Sequence, residues 1–439
     1  MINKTFNPKN IAVVGATDRK MSVGRGVIEN MKKAGQKNTF YINPNKEKVL
    51  GKKTYKKLTD VKEKIDLVVI IVPQKFVDNV VDDCISKRVK TVIIISSGFR
   101  EVNEEGRILE KRISEKLEKN NIRLVGPNTL GIIRPPKKLN LSFAPSNPKK
   151  GDMAFIFQSG GFIDALIEGK EKEEYGFSFV VSVGNEAGLT FADYIKMANE
   201  DQHTNSIGLY VEGLTDGQEF YGALKQATKP VVVLKAGKEE RSKKAISSHT
   251  GSLAGEHRIF SAAVKQAGAF SVDSLEELFN TVKGTAWLSP IKNRNVAIVT
   301  NGGGAGVLLA DYFAKHNIKL PAIKPSSQAE KTAPFAFHNP LDVLGDALPD
   351  RYLLGCETAL KQKNISALVV VQTPQIMTDP VGNAKLIVQL KNKYRKPILT
   401  VFMGQGEKTV KAIKILEKNR IPNYDDPQKI IKPLLAIIK

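Results

Sequence analysis

Short runs of aliphatic and β-branched residues alternate with amphipathic stretches along almost the whole chain, and this alternation limits the fold more than any other feature. Leu67-Val-Val-Ile-Ile-Val72 and Thr91-Val-Ile-Ile-Ile95 are nearly continuous apolar runs, too short for helices and without a polar face. A strand that is apolar on both faces must be covered on both faces, which is the condition of a parallel sheet lying under helices. Asn10-Ile-Ala-Val-Val-Gly15 predicts a strand ending in glycine, followed by a helix over Val23 to Ala34 and a strand at Phe40-Tyr-Ile42. Amphipathic segments at Phe76–Lys87 and Glu104–Lys119 supply the covering helices.

The pattern is interrupted twice. Proline and lysine break it between Pro135-Pro136 and Pro148, and Ser289-Pro290-Ile-Lys-Asn-Arg294 breaks it again. The second series has strands at Met153–Phe157, Phe179–Val183, Ile207–Val211 and Val231–Leu234, with helices near Phe162–Glu173, Thr190–Asn199, Glu219–Ala227 and Ser274–Leu288. The third opens at Val296–Thr300 and continues through Ala367–Val371 and Pro397–Phe402. A chain of 439 residues exceeds one ordinary core. The expectation is therefore α/β, with three parallel-sheet domains at 1–135, 148–288 and 294–439.

Composition removes several function classes. No long apolar run suited to a membrane span is present, and Met1 to Asn10 lacks the apolar centre of a secretory signal. Cys84 and Cys356 lie far apart and supply neither a disulfide framework nor a metal-ligand cluster. A reducing cytoplasm is the expected compartment. The formal net charge of +22 comes mostly from scattered lysines such as Lys52-Lys53, Lys56-Lys57 and Lys243-Lys244. No basic stripe interleaved with aromatics accompanies them, so a solvated surface is favoured over nucleic-acid binding. Such a surface attracts polyanionic ligands, nucleotides and CoA among them.

The first strand runs into Gly15-Ala-Thr-Asp-Arg-Lys-Met-Ser-Val-Gly24-Arg-Gly26. Glycines there let backbone approach a phosphate at a helix N-terminus. The spacing departs from G-x-G-x-x-G. Asn43-Pro44-Asn45-Lys46 stands where an acidic residue would hold the ribose of NAD, so a phosphorylated ligand fits better. Pro73, Ser96-Ser97-Gly98 and Gly126-Pro127-Asn128 end or follow the later strands. In an open parallel sheet these ends share the edge where ligands bind, although the same residues also serve ordinary turns.

Ala245-Ile-Ser-Ser-His249-Thr-Gly-Ser-Leu-Ala-Gly255 follows the Val231–Leu234 strand and surrounds one histidine with small residues. Small side chains suit an exposed loop, and imidazole is nucleophilic near neutral pH. A histidine that takes up phosphate needs a partner for its other ring nitrogen and a cradle for the phosphate. Glu212, just past the Ile207–Val211 strand, is placed to orient the imidazole. Ser159-Gly160-Gly161 follows Met153–Phe157 and opens a helix, offering amide donors to a phosphoryl group. Locally, a solvated turn glutamate and a helix cap would look the same.

These segments together resemble the α component of acetate–CoA ligase (ADP-forming), within the superfamily of succinyl-CoA synthetase. The resemblance runs over essentially the full chain. It is carried by the glycine turn, Val72-Pro73, Gly126-Pro-Asn128, Gln158-Ser-Gly160, Ser182-Val-Gly-Asn185, Tyr210-Val-Glu212 and Ser248-His-Thr-Gly251. Asn301-Gly-Gly-Gly304, Asn339-Pro-Leu-Asp-Val-Leu-Gly-Asp346 and Gln372-Thr-Pro374 extend it through the third series. Thr129, where relatives commonly carry cysteine, and Asn185-Glu-Ala-Gly188, which lacks a customary aspartate, depart from the pattern.

The resemblance implies a Rossmann-like CoA-binding domain followed by two flavodoxin-like domains. It implies interconversion of acyl-CoA, phosphate and ADP with a small carboxylic acid, CoA and ATP through acyl phosphate and a phosphohistidine at His249. Glu212 would hold the imidazole, and Ser159, Gly160 and Gly161 the phosphate. Gly15, Thr17, Ser22, Val23, Asn43, Pro44, Lys46, Val72, Pro73, Ser96, Ser97 and Asn128 would contact CoA. Nucleotide and Mg2+ would reside mainly in an ATP-grasp β subunit, in an α2β2 heterotetramer. A CoA-binding sensor without catalysis is the alternative, and nucleic-acid binding a remoter one.

Overall fold

The computed structural model describes residues 5–169, 174–239 and 257–439. The first sheet contains β1 (Ile11–Val14), β2 (Thr39–Ile42), β3 (Lys48–Val49), β4 (Lys52–Tyr55), β5 (Leu67–Ile70), β6 (Thr91–Ile94) and β7 (Arg123–Val125). Their order is β3-β4-β2-β1-β5-β6-β7, parallel except for the β3–β4 hairpin. All residues of β1, β5 and β6 are buried, as strands covered on both faces require. The chain leaves β1 for one neighbour, β2, and later returns on its other side as β5. That reversal opens a crevice at the C-terminal ends of β1 and β5.

The second sheet contains β8 (Gly131–Arg134), β9 (Leu139–Ser142), β10 (Lys150–Phe157), β11 (Phe177–Ser182), β12 (Ser206–Val211), β13 (Val231–Lys235) and β14 (Phe270–Val272), in the order β14-β13-β12-β10-β11-β8-β9. From β10 to β14 it has the parallel flavodoxin-like order, with its own reversal between β10 and β12. The β8–β9 hairpin is antiparallel and spans the break expected from proline at 135–148. Pro135 and Pro136 form its turn, and the second sheet begins at Gly131.

The first two sheets share one core within a single compact unit, made by the described residues of Met1–Lys172 and Gly176–Asp273. The helix Val23–Ala34 packs against β9 of the second sheet. Its buried Asn30 donates from Nδ2 to the carbonyls of Ser142 (3.0 Å) and Ala144 (2.7 Å).

The second unit holds a sheet of four parallel strands in the order β16-β15-β17-β18: β15 (Val296–Thr300), β16 (Leu341–Asp342), β17 (Ala367–Gln372) and β18 (Ile398–Phe402). The helix Leu275–Trp287, grouped by sequence with the second series, belongs to this unit and packs on Ile431–Ile437. Its Lys283 is buried and pairs with Glu417 at 2.9 Å while donating to the Asn423 carbonyl. Cys84 and Cys356 are buried free thiols in separate cores. Among the described residues no helix is long and apolar enough to cross a membrane.

Arg134 is the largest fully buried side chain of the first unit, and its guanidinium reaches Asp201 at 2.8 Å and the Phe6 carbonyl at 3.3 Å. Removing one member of a buried pair strands the other charge, so Asp201→Ala should lower unfolding free energy by about 3–5 kcal/mol. Urea denaturation of the full chain tests this. A change of about 0.5 kcal/mol, as at a surface position, would contradict it.

Candidate functional site

The C-terminal strand ends of the first unit enclose a cavity of about 670 Å³. Its floor is set by Gly15, whose φ of +93° continues β1 into the turn. A β-carbon there would stand 2.4 Å from the Ile71 carbonyl oxygen, so any larger residue displaces the backbone past β1 or β5. The turn is tied internally. The Ser22 hydroxyl donates to the Arg19 carbonyl, the Arg19 amide to Thr17 Oγ1, and Asn43 Nδ2 to the Ala16 carbonyl at 2.8 Å.

Further bonds hold adjacent strand ends together. Ser96 Oγ donates to the Val72 carbonyl, and the Asn128 amide to the Ser96 carbonyl. The Asn185 amide then donates to the Pro127 carbonyl, bringing the loop after β11 against the last turn of the first sheet. Gly184 permits this approach: its φ is +63°, and a β-carbon would lie 2.2 Å from that carbonyl oxygen. Thr129, one departure noted in sequence, and Asn185, which precedes the other, both have structural work. Thr129 Oγ1 bonds the Ser182 carbonyl and the Gly131 amide, and Asn185 Nδ2 reaches the carboxylates of Glu101 and Glu110.

The second sheet contributes Gln158, Ser159, Gly160, Gly161 and Asp164 to the same cavity. Two helix N-termini meet there, Val23–Ala34 and Gly160–Gly169, and neither carries an acidic residue in its first turn. Their free amides and dipoles favour an anion on this side of the sheets.

Of the expected CoA contacts, Gly15, Thr17, Ser22, Val23, Val72, Pro73, Ser96, Ser97 and Asn128 line the cavity. Asn43, Pro44 and Lys46 stand outside its lining. Asn43 braces the glycine turn from behind, and Lys46 forms an ion pair with Asp18. Ser159, Gly160 and Gly161 line the cavity as a group.

Glu212 lies outside the lining but at the end of β12, and the register Phe157↔Tyr210 places it beside Gln158. Gln158 Oε1 accepts from the amides of Glu212 and Gly213, and Lys235 Nζ donates to the Glu212 carbonyl at 2.7 Å. This frame fixes the backbone of a glutamate that is 7% exposed. Burial and the adjacent Glu212 carboxylate push the Tyr210 hydroxyl well above its usual range. His249 lies outside the described residues.

Arg19, Leu130 and Phe143 line the cavity without having been singled out from sequence, and Asp164 falls in the Gly161–Ala165 stretch expected near the acyl pocket. Asp164 is chemically the most informative. Its Oδ1 is buried with no hydrogen-bond partner among the described residues. Burial, reinforced by the Glu168 charge on the same helix, raises its carboxyl to about 6.

Comparison with known proteins agrees with this geometry. Residues 9–135 match the CoA binding domain, 150–284 the succinyl-CoA ligase-like flavodoxin domain, and 296–436 the ligase-CoA domain. The α subunit of acetate–CoA ligase (ADP-forming) II from Pyrococcus furiosus is 37% identical, across 100% of this chain and 98% of its own. The chain belongs to the ADP-forming acetate–CoA ligase family. An acetate–CoA ligase (ADP-forming) from Methanocaldococcus jannaschii is 39% identical over 98% of this chain, which spans 62% of that longer relative. Among solved structures, the dinucleotide-forming acetyl-coenzyme A synthetase 1 of Ca. Korarchaeum cryptofilum, in complex with phosphate and ADP, superposes with a TM-score of 0.92 at 35% identity. That superposition covers 100% of this chain and 96% of that one. The family's α/β architecture is thus the fold found here.

The raised carboxyl of Asp164 has a signed consequence for stability. An unfolded aspartate ionises near 3.8, whereas the folded one holds its proton to about 6. Folding takes up a proton in that window, so stability falls as pH rises through it. Asp164→Asn should therefore raise the denaturation midpoint relative to wild type at about pH 7 and have little effect at about pH 4. An equal effect at both pH values would show that ionisation is not the cause.

Proposed function

We propose that this chain is the α component of an ADP-forming acyl-CoA synthetase. It interconverts acyl-CoA, phosphate and ADP with a carboxylic acid, CoA and ATP. The observation that carries this reading is the single cavity joining the glycine turn of one sheet to the Ser159–Gly161 helix start of the next. An extended ligand with phosphates can lie on the first sheet and present its reactive end to an anion site on the second. A relative named as the α subunit of an acetate–CoA ligase (ADP-forming), matched over 98% of its length, supports the reaction class.

In the direction of ATP formation, a phosphate oxygen attacks the thioester carbonyl. The C–S bond breaks, CoA leaves, and acyl phosphate forms in the cradle of Ser159, Gly160 and Gly161. An imidazole nitrogen of His249 then takes the phosphoryl group and the carboxylate departs. Glu212 orients the ring through its other nitrogen and stabilises its positive charge. Carrying the phosphoryl group covalently keeps it from water until ADP accepts it.

The nucleotide, with its Mg2+, is assigned to an ATP-grasp β subunit in an α2β2 assembly. The longer relative, of which this chain spans 62%, supports a second component. Among the described residues no group of three or more His, Cys, Asp and Glu side chains gathers to hold a metal. The free buried thiols suit a reducing cytoplasm.

With the β partner present, radiolabelled phosphate and acyl-CoA should leave an acid-labile label on wild type and none on His249→Asn. ATP formation by the His249→Asn complex would overturn the reading. Glu212→Gln should slow phosphoryl transfer by about 100-fold or more while leaving CoA affinity unchanged. Gly15→Ala should do the reverse, weakening CoA binding at least about tenfold through the displaced turn.

A further inference from the structure

The cavity lining contains two titratable side chains among the described residues, Arg19 and Asp164. Its other polar groups are hydroxyls, amides and backbone, none of which accepts a proton near neutral pH. Yet the reaction read for this site moves one. In thioester formation CoA enters as a thiol, of which roughly a few per cent is ionised at pH 7. The phosphate that leaves requires a proton.

Asp164 stands where both needs meet. It follows the Ser159–Gly161 cradle within the same helix, Gly160–Gly169, and faces the cavity shared with the glycine turn. Oδ1 is removed from solvent and takes no hydrogen bond from the described residues, while the residue itself lines the cavity. An unsatisfied buried carboxylate oxygen costs stability, which is usual where a side chain awaits a reactant.

We propose, resting on the acyl-CoA synthetase reading above, that Asp164 is the general base that takes the CoA thiol proton as sulfur attacks acyl phosphate. In this step the S–C bond forms and the bond from acyl carbon to phosphate oxygen breaks. The thiol proton passes to the Asp164 carboxylate and from there to the departing phosphate. Acyl phosphate and thiol thus become thioester and monohydrogen phosphate with no other reactant. In the opposite direction protonated Asp164 returns the proton to the leaving thiolate.

Burial raises Asp164, and Glu168, on its own helix, raises it further. Arg19, in the glycine turn, is the cation in the same lining. The carboxyl stands at about 6, and a bound phosphate dianion raises it further. It therefore ionises close to working pH, as an efficient general base must.

The test separates two half-reactions of the reconstituted complex. Without CoA, ATP and acid should yield acyl phosphate, trapped by hydroxylamine as hydroxamate. With CoA, they should yield thioester. Asp164→Asn should retain hydroxamate formation within about threefold and lose about 100-fold or more in thioester formation. Its residual rate should no longer fall as pH drops through the region of 6, and Asp164→Glu should recover part of the activity. Thioester formation within about threefold of wild type, with the same pH profile, would overturn the proposal while leaving the synthetase reading intact. So would an equal loss of hydroxamate, which would mark Asp164 as a group for acyl binding or folding. A wild-type complex that makes no hydroxamate would overturn the synthetase reading itself, and the role of Asp164 with it.

Discussion

The closeness of Gly15 to the Ile71 carbonyl sets the position of everything that follows in the cavity. Because no side chain intervenes, the turns after β1 and β5 lie against one another, and the helix starting at Val23 is launched over them. That helix buries Val27, Ile28 and Met31 in the core shared by the first two sheets. One contact without a side chain thus determines both where an anion can lie and which face of the second sheet lies opposite.

Electrostatics act at two separate levels. The net charge of +22 is carried largely by solvated lysines, whose attraction for a polyanion is long-ranged and screened by salt. Inside, helix termini without acidic first turns meet at the cavity and favour an anion at short range. Two buried ion pairs, Arg134–Asp201 in one unit and Lys283–Glu417 in the other, sit within the packed interior of each unit. Each cation also bonds a backbone carbonyl, satisfying donors that a single carboxylate would leave unmatched.

The strands were legible because β1, β5, β6 and β15 are apolar on both faces, and a short run of that kind bounded by turn residues rarely folds any other way. Most of the proposed ligand contacts were legible too, because glycine, proline and serine at parallel-strand ends collect at one edge. Gly131–Ser142 was harder. Its prolines resemble a linker, and only pairing with β11, more than forty residues later, makes the segment a sheet edge. The helix Leu275–Trp287 gave no sign of its allegiance, since an amphipathic face does not name the core that receives it. The chemistry of Asp164 was not legible, for a different reason. An aspartate in a helix is ordinary, and only the burial of its Oδ1 inside the cavity gives it chemistry. Glu212 was placed at the correct strand end, but its frame depends on Gln158 and Lys235, from two other strands.

Asn30 touches no cavity, yet its two bonds to the Ser142 and Ala144 carbonyls join the helix of one sheet to the edge of the other. The spacing across the cavity is thereby tied to hydrogen bonds from one side chain to two backbone carbonyls. The ordering entropy of this half of the site is spent once, during folding, and does not recur with each ligand that arrives. Asn30 is accordingly a dimension of the site, held far from any reacting atom.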